Sequence, residues 1–205
     1  MTKVSVVKLG GSYARSAALT EWLHSLEMLG GRIVLVPGGG PFADIVRELQ
    51  PKMGFSDAAA HHMALLAMEQ YAHAICSLTG RLRATSTVAE INSVLREGLV
   101  PVWCPSAMAL ADSEIQQSWE VTSDSLAAWF GGQIGGRRLV LIKHAAPASQ
   151  AMSVEAAVDA GLVDPALPAM LKRWPQELVL LGPGSQADLV AAVTGAVASH
   201  HPLHA

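Results

Sequence analysis

Lys8, Lys143 and Asp124, with the glycine runs Gly10–Gly11 and Gly38–Gly40, are the residues of this sequence best suited to chemistry. The stretch "VSVVKLGGSYA" (4–14) puts a lysine near the end of an apolar run and then removes two side chains from the turn that follows. Bare backbone N–H groups at a strand-to-helix turn let an anion approach closely; a helix terminus adds partial positive charge and Lys8 a full one. The GxxxxGK[ST] pattern of a Walker loop is absent. "LVPGGGPFAD" (35–44) repeats the arrangement with three glycines and a proline ahead of a helical pattern. Two such loops at neighbouring strand ends would hold two anionic or polar groups side by side, as phosphoryl transfer demands. In "SWEVTSDSLAAWF" (118–130), Thr122 or Ser123 suits a helix cap with Asp124 in the first turn. Asp124 is also placed to fix the ammonium groups of Lys8 and Lys143, or to contact a metal-bound phosphate. Lys143 closes the apolar run "LVLIK" (139–143), either as a snorkelling surface lysine or as a second cation on nucleotide phosphates.

The elements that must position these groups alternate along the chain. Continuous apolar runs at 4–9, 31–38, 99–105, 138–144 and 177–184 read as strands buried on both faces. Helical patterns lie between and after them, at 16–29, from Pro41 to Gln50, and at 57–79, 123–136, 153–162 and 186–199. The alternation predicts an α/β fold with a mainly parallel sheet covered on both faces. In such sheets ligands collect outside the carboxyl ends of the strands. The expected site residues are therefore Lys8 to Ser12, Gly38 to Gly40, Lys143–His144 and Gly182 to Ser185.

The 205 residues suit one domain, expected over 1–198, with a disordered tail at 199–205. At 51% hydrophobic and 15% charged the chain can bury a sizeable core, and a net charge of −3 gives no global attraction for nucleic acid or an anionic membrane. No apolar stretch approaches ~18 residues, and the N-terminus has no long apolar core of a leader, so a cytoplasmic protein is expected. Cys76 and Cys104 read as small apolar residues. His61, His62 and His73 lack the HExxH spacing, and no residue is expected to ligate a metal. Met63, Leu66 and Tyr71 read as core or interface; Trp103, Trp129 and Trp174 as packing. Arg81 and Arg83 are either solvated or neutralise an anionic acceptor.

Taken in order, "VVKLGGS", "VPGGGPFAD", "VPV", "TSDSLAA" and "LVLIK" resemble the amino acid kinase family, over about residues 3–145. The resemblance implies a three-layer αβα sandwich, binding of ATP with magnesium at the strand ends, and a homo-oligomer. It implies that Lys8 bridges the transferring phosphoryl group, that Gly10 and Gly11 give amides to it, and that Asp124 organises the catalytic lysines. Ser12, Gly38, Gly39, Gly40 and Ser123 are the implied acceptor residues; Lys8, Gly10, Lys143, Gly182 and Gly184 the nucleotide residues. Lys172 in "PAMLKRW" is the candidate for the family's later lysine. "SWEVTSDSLAAW" is most similar to the small archaeal and methylotroph-type kinases of methanofuran biosynthesis. That branch implies conversion of a furan-methyl phosphate to its diphosphate, with Trp119 and Glu120 lining the acceptor pocket. The alternatives are a uridylate or acylphosphate-forming kinase of the same family, or a non-catalytic nucleotide-binding storage or regulatory protein.

Overall fold

A computed structural model describes residues 4–145 and 152–195; the expected tail lies outside them. The strands are β1 (Ser5–Leu9), β2 (Ile33–Pro37), β3 (Leu82–Thr85), β4 (Val100–Trp103), β5 (Arg138–Ile142) and β6 (Glu177–Leu181). All pair in parallel, in the order β3-β4-β2-β1-β5-β6. The helices are α1 (Leu19–Glu27), α2 (Gly40–Met53), α3 (Asp57–Ser77), α4 (Val88–Arg96), α5 (Ser106–Ala109), α6 (Ser123–Ile134), α7 (Val154–Asp159), α8 (Leu167–Arg173) and α9 (Leu189–Thr194). The sheet between two helical layers is the expected αβα sandwich.

Strand residues alternate between two cores. Val6, Val34, Leu139 and Leu141 face α6, α7 and α8, where Phe130, Ala157 and Leu171 meet them. Val7, Leu35, Val140 and Ile142 face α1 and α9, against Leu23, Leu26 and Leu189. β1, β2 and β4 are buried at every position, as continuous apolar runs require. Truncating a fully buried leucine such as Leu141 to alanine would cost about 2–5 kcal/mol. Such a core is a stiff mount for whatever stands at the strand ends. Trp103 stacks on Phe130 at 4.3 Å and on Trp129 at 5.9 Å, so both tryptophans are packing groups. Burial pushes the Cys76 and Cys104 thiols up to about 12 and about 11, in keeping with apolar roles.

Four of the elements, β3, α4, α5 and α8, lie where the sequence reading placed none. β3 is a four-residue edge strand, too short to declare itself. α4 opens on a capping box, Thr87 accepting from the Glu90 N–H at 3.2 Å while the Glu90 carboxylate accepts from the Thr87 N–H at 3.3 Å. That Thr-x-x-Glu spacing was a legible start signal. Arg81 and Arg83 are both exposed, in line with the solvated alternative for them. They flank the start of β3, at the sheet edge opposite Lys8. Arg81 donates to the Gly98 carbonyl at 2.7 Å, and Arg83 donates to those of Gly80 and Leu82 at 3.0 and 2.9 Å. Among the described residues no helix is long and apolar enough to cross a membrane.

Candidate active site

The chain leaves β1 for β2 on one side and later crosses over β2 and β1 to reach β5 on the other. The carboxyl end of β1 is therefore the topological switch point, where open α/β sheets bind ligands. The period of two in a strand sets what stands there. Lys8 follows Val6 and Lys143 follows Leu141, so both lysines fall on the α6 face, and Lys8 pairs in register with Leu141. Asp124, in the first turn of α6, meets them both. Lys8 Nζ lies 2.8 Å from Asp124 Oδ1, and Lys143 Nζ donates a hydrogen bond to Oδ2 at 2.6 Å. Lys8 and Asp124 are only 4% and 2% exposed, so the pair is inside the protein; Lys143 is less enclosed.

Burial by itself would push the Asp124 carboxyl up, but the two ammonium groups outweigh it and hold the carboxyl below its ordinary value. Lys143 moves down, from burial first and repulsion by Lys8 second, against the attraction of Asp124. The cluster carries two cations and one anion. That surplus positive charge at a strand end can meet an anion, and each ammonium has N–H groups to spare after its contact with Asp124. Tyr13 fixes the rim by donating from its hydroxyl to the Lys143 carbonyl at 2.9 Å.

The glycine loops do a second job beyond baring amides. The Gly10 N–H donates to Ile142 O and the Gly38 N–H to Leu9 O, both at 2.9 Å, so each loop leaves its strand in register. A Cβ on Gly11 would sit 2.2 Å from the Gly40 nitrogen, and one on Gly38 would sit 2.4 Å from the Gly11 nitrogen. The two loops touch main chain to main chain. Gly40 also takes φ +54, a conformation that favours glycine.

Beside this contact opens a cavity of about 210 Å³. Gly11, Ser12, Gly38, Gly39 and Gly40 form one wall, and Thr122 and Ser123 at the start of α6 form another. Its floor is apolar, from Ala64, Leu65, Met68 and Leu126. Asp44 and Arg47, one turn apart on α2, are its charged groups. They face each other at 3.9 Å, half-exposed, and are held too loosely to resist a ligand's charges. Trp119 closes the mouth: its indole N–H donates to Gln50 Oε1 at 2.5 Å, and the Arg47 guanidinium lies 4.4 Å from its ring centre. His61 lines the cavity as well; burial lowers its pKa, opposed by a hydrogen bond to the Ser118 backbone.

Lys8, Asp124 and Lys143 thus come together, and Ser12, Gly38, Gly39, Gly40 and Ser123 share the adjoining cavity with Gly11. Gly182 and Gly184 lie in the turn after β6, next to β5; Gly182 is buried and Gly184, at φ +83, exposed. Trp119 lines the cavity as expected, whereas Glu120 is exposed and does not line it. Lys172 is exposed in the last turn of α8 and is not part of the lysine centre. Asp44, Arg47 and Asp164 were not foreseen. The first two stand at i, i+3 on the helix right after the glycine triplet, a signal that was available. Among the described residues no group of three or more His, Cys, Asp or Glu side chains gathers as a metal cage.

The fold and this centre set two lysines, one carboxylate and two glycine loops over the ends of the central parallel strands. Residues 3–146 match the amino acid kinase family, and the chain belongs to it. A relative from Methanocaldococcus jannaschii, [5-(aminomethyl)furan-3-yl]methyl phosphate kinase, is 26% identical over 138 residues, which is 66% of this chain and 63% of that relative. The match thus spans less than two thirds of the relative's length. Among solved structures, uridylate kinase from Archaeoglobus fulgidus superimposes with a TM-score of 0.69 at 17% identity, covering 94% of this chain and 96% of that one. UMP kinase from Ureaplasma parvum gives 0.69 at 12% identity, covering 93% and 95%. These likenesses bear out the αβα fold.

Proposed function

We propose that this chain is an ATP-dependent phosphotransferase that adds a phosphoryl group to a small phosphomonoester of the furan-methyl phosphate type. The observation that carries the reading is the single buried carboxylate of Asp124 holding two ammonium groups at adjacent strand ends, beside a cavity of metabolite size. Lys8, Lys143 and the Gly10–Gly11 amides suit the donor side. ATP supplies the phosphoryl group, and magnesium arrives on its phosphates, in keeping with that ion's habit of binding through phosphates, waters and few carboxylates. Ser12, Gly38 to Gly40 and Ser123 suit the acceptor's phosphate, and Asp44 suits an amine at its far end. Catalysis is positioning and charge neutralisation: Lys8 meets the charge of the moving group, with no covalent intermediate on the protein.

We further propose that the protein works in the cytoplasm as a homo-oligomer. Met63, Leu66 and Gln70 are exposed on α3 beside His62 and His73, a face that suits burial against a second copy. The test of the function is ADP release from MgATP with [5-(aminomethyl)furan-3-yl]methyl phosphate, run beside UMP. Turnover with the furan phosphate that falls by ~10²–10³ in Lys8→Ala is expected. Turnover with UMP alone would reassign the acceptor, and MgATP binding without ADP release against either would favour a non-catalytic protein.

A further inference from the structure

The start of α6 carries a need that its own sequence does not meet. First-turn N–H groups of a helix lack intrahelical acceptors and are usually satisfied by a side chain at the N-cap. Asp124 is engaged with the lysines. Thr122 occupies the N-cap, yet its hydroxyl caps nothing in α6. It donates instead to Asp164 Oδ2 at 2.7 Å. The same oxygen accepts from the Thr122 N–H at 2.9 Å and from the Ser125 N–H at 3.0 Å, and the Ser125 hydroxyl donates to Oδ1. Asp164 is 6% exposed and lies 39 residues beyond Ser125, between α7 and α8.

We propose that Asp164 is a positioning residue: an external cap that fixes the first turn of α6, and through it the Asp124 carboxylate between Lys8 and Lys143. Four donors converge on its two oxygens, so the group must be a pure acceptor. An asparagine would turn an NH₂ toward some of those donors. The negative charge also suits the positive end of the α6 dipole and favours the charged form of Lys143. Since Thr122 and Ser123 wall the cavity, one carboxylate holds the acceptor wall and the lysine anchor in a fixed relation. Asp164 lies outside residues 3–146, the part of the chain that matches the family.

The proposal rests on the Lys8–Asp124–Lys143 centre and on no particular acceptor, so its test uses neither nucleotide nor acceptor. The full-length protein is pulsed with acetic anhydride at pH 8, and acetylation of Lys143 is read by mass spectrometry against exposed Lys52. In Asp164→Asn, Lys143 labelling is expected to rise severalfold, because the ammonium loses a nearby negative charge and its anchor at Asp124 loosens. A folded Asp164→Asn protein with wild-type Lys143 labelling, even with a lowered Tm, would overturn the proposal. Should that variant not fold, Thr122→Val/Ser125→Ala removes two of the four donors and keeps the charge. It is expected to raise Lys143 labelling measurably above the wild type, because the anchor loosens while the charge stays. Unchanged labelling in that folded protein is the opposing result.

Discussion

Replacing Asp124 by asparagine is the sharpest perturbation of this centre, because it removes the one carboxylate in contact with both ammonium groups. Their nitrogens contact different oxygens of one carboxylate, at 2.8 and 2.6 Å, so they stand on the order of 5 Å apart. At an effective dielectric of about 20 that separation costs about 3 kcal/mol of repulsion. Breaking a buried pair by removing one partner costs about 3–5 kcal/mol in general, which agrees. At ~2–4 °C per kcal/mol for a chain of this size, Tm should fall by about 6–20 °C. The measurement is calorimetry at pH 7 on the wild type, Asp124→Asn and the double variant Asp124→Asn/Lys8→Met. The double variant retains one ammonium, Lys143, the less enclosed of the two, and should recover at least half of the lost Tm. If it melts no higher than Asp124→Asn, the loss does not come from uncompensated charge, and the electrostatic account of the centre is wrong.

Three further outcomes are expected. Gly11→Ala would drive a Cβ to 2.2 Å from the Gly40 nitrogen, so the loops must part; ADP release should become undetectable while circular dichroism keeps its α/β shape. Arg47→Ala strips the cation from over Trp119 and should raise KM for the acceptor about tenfold, from ~1–2 kcal/mol of lost contact, with KM for ATP unchanged in steady-state kinetics. In acid, Asp124 has a folded pKa below its unfolded value of 3.8, so its contribution to stability is complete above 3.8 and is lost as pH falls through the folded value. Tm should therefore drop more steeply below pH 4 in the wild type than in Asp124→Asn.

Most of the scaffold was legible because the informative signals were local. An apolar run such as 33–37 or 138–142 announces a doubly covered strand, and the helical patterns at 57–79 and 153–162 announce helices that the structure keeps. β3 escaped because four residues with one exposed carry too little pattern. The meeting of Lys8 with Lys143 depends on β1 and β5 being neighbours in a fixed register, which no local stretch encodes; the family resemblance supplied it. Glu120 was expected to line the acceptor pocket beside Trp119, but it is exposed and outside the cavity, while α2 brings Asp44 round to it. Asp164 had no readable sign at all: a carboxylate before a proline serves a helix that began some forty residues earlier.

The touching peptides of Gly11, Gly38 and Gly40 amount to a spacer with no adjustable parts. On the proposed function, side chains on α2 or along 118–123 can be exchanged to admit a differently shaped metabolite, yet the gap between the two loops stays as the peptide planes set it. Changes of diet in such a scaffold are then to be sought on the outer rim, and the inner gauge should pass through them unaltered.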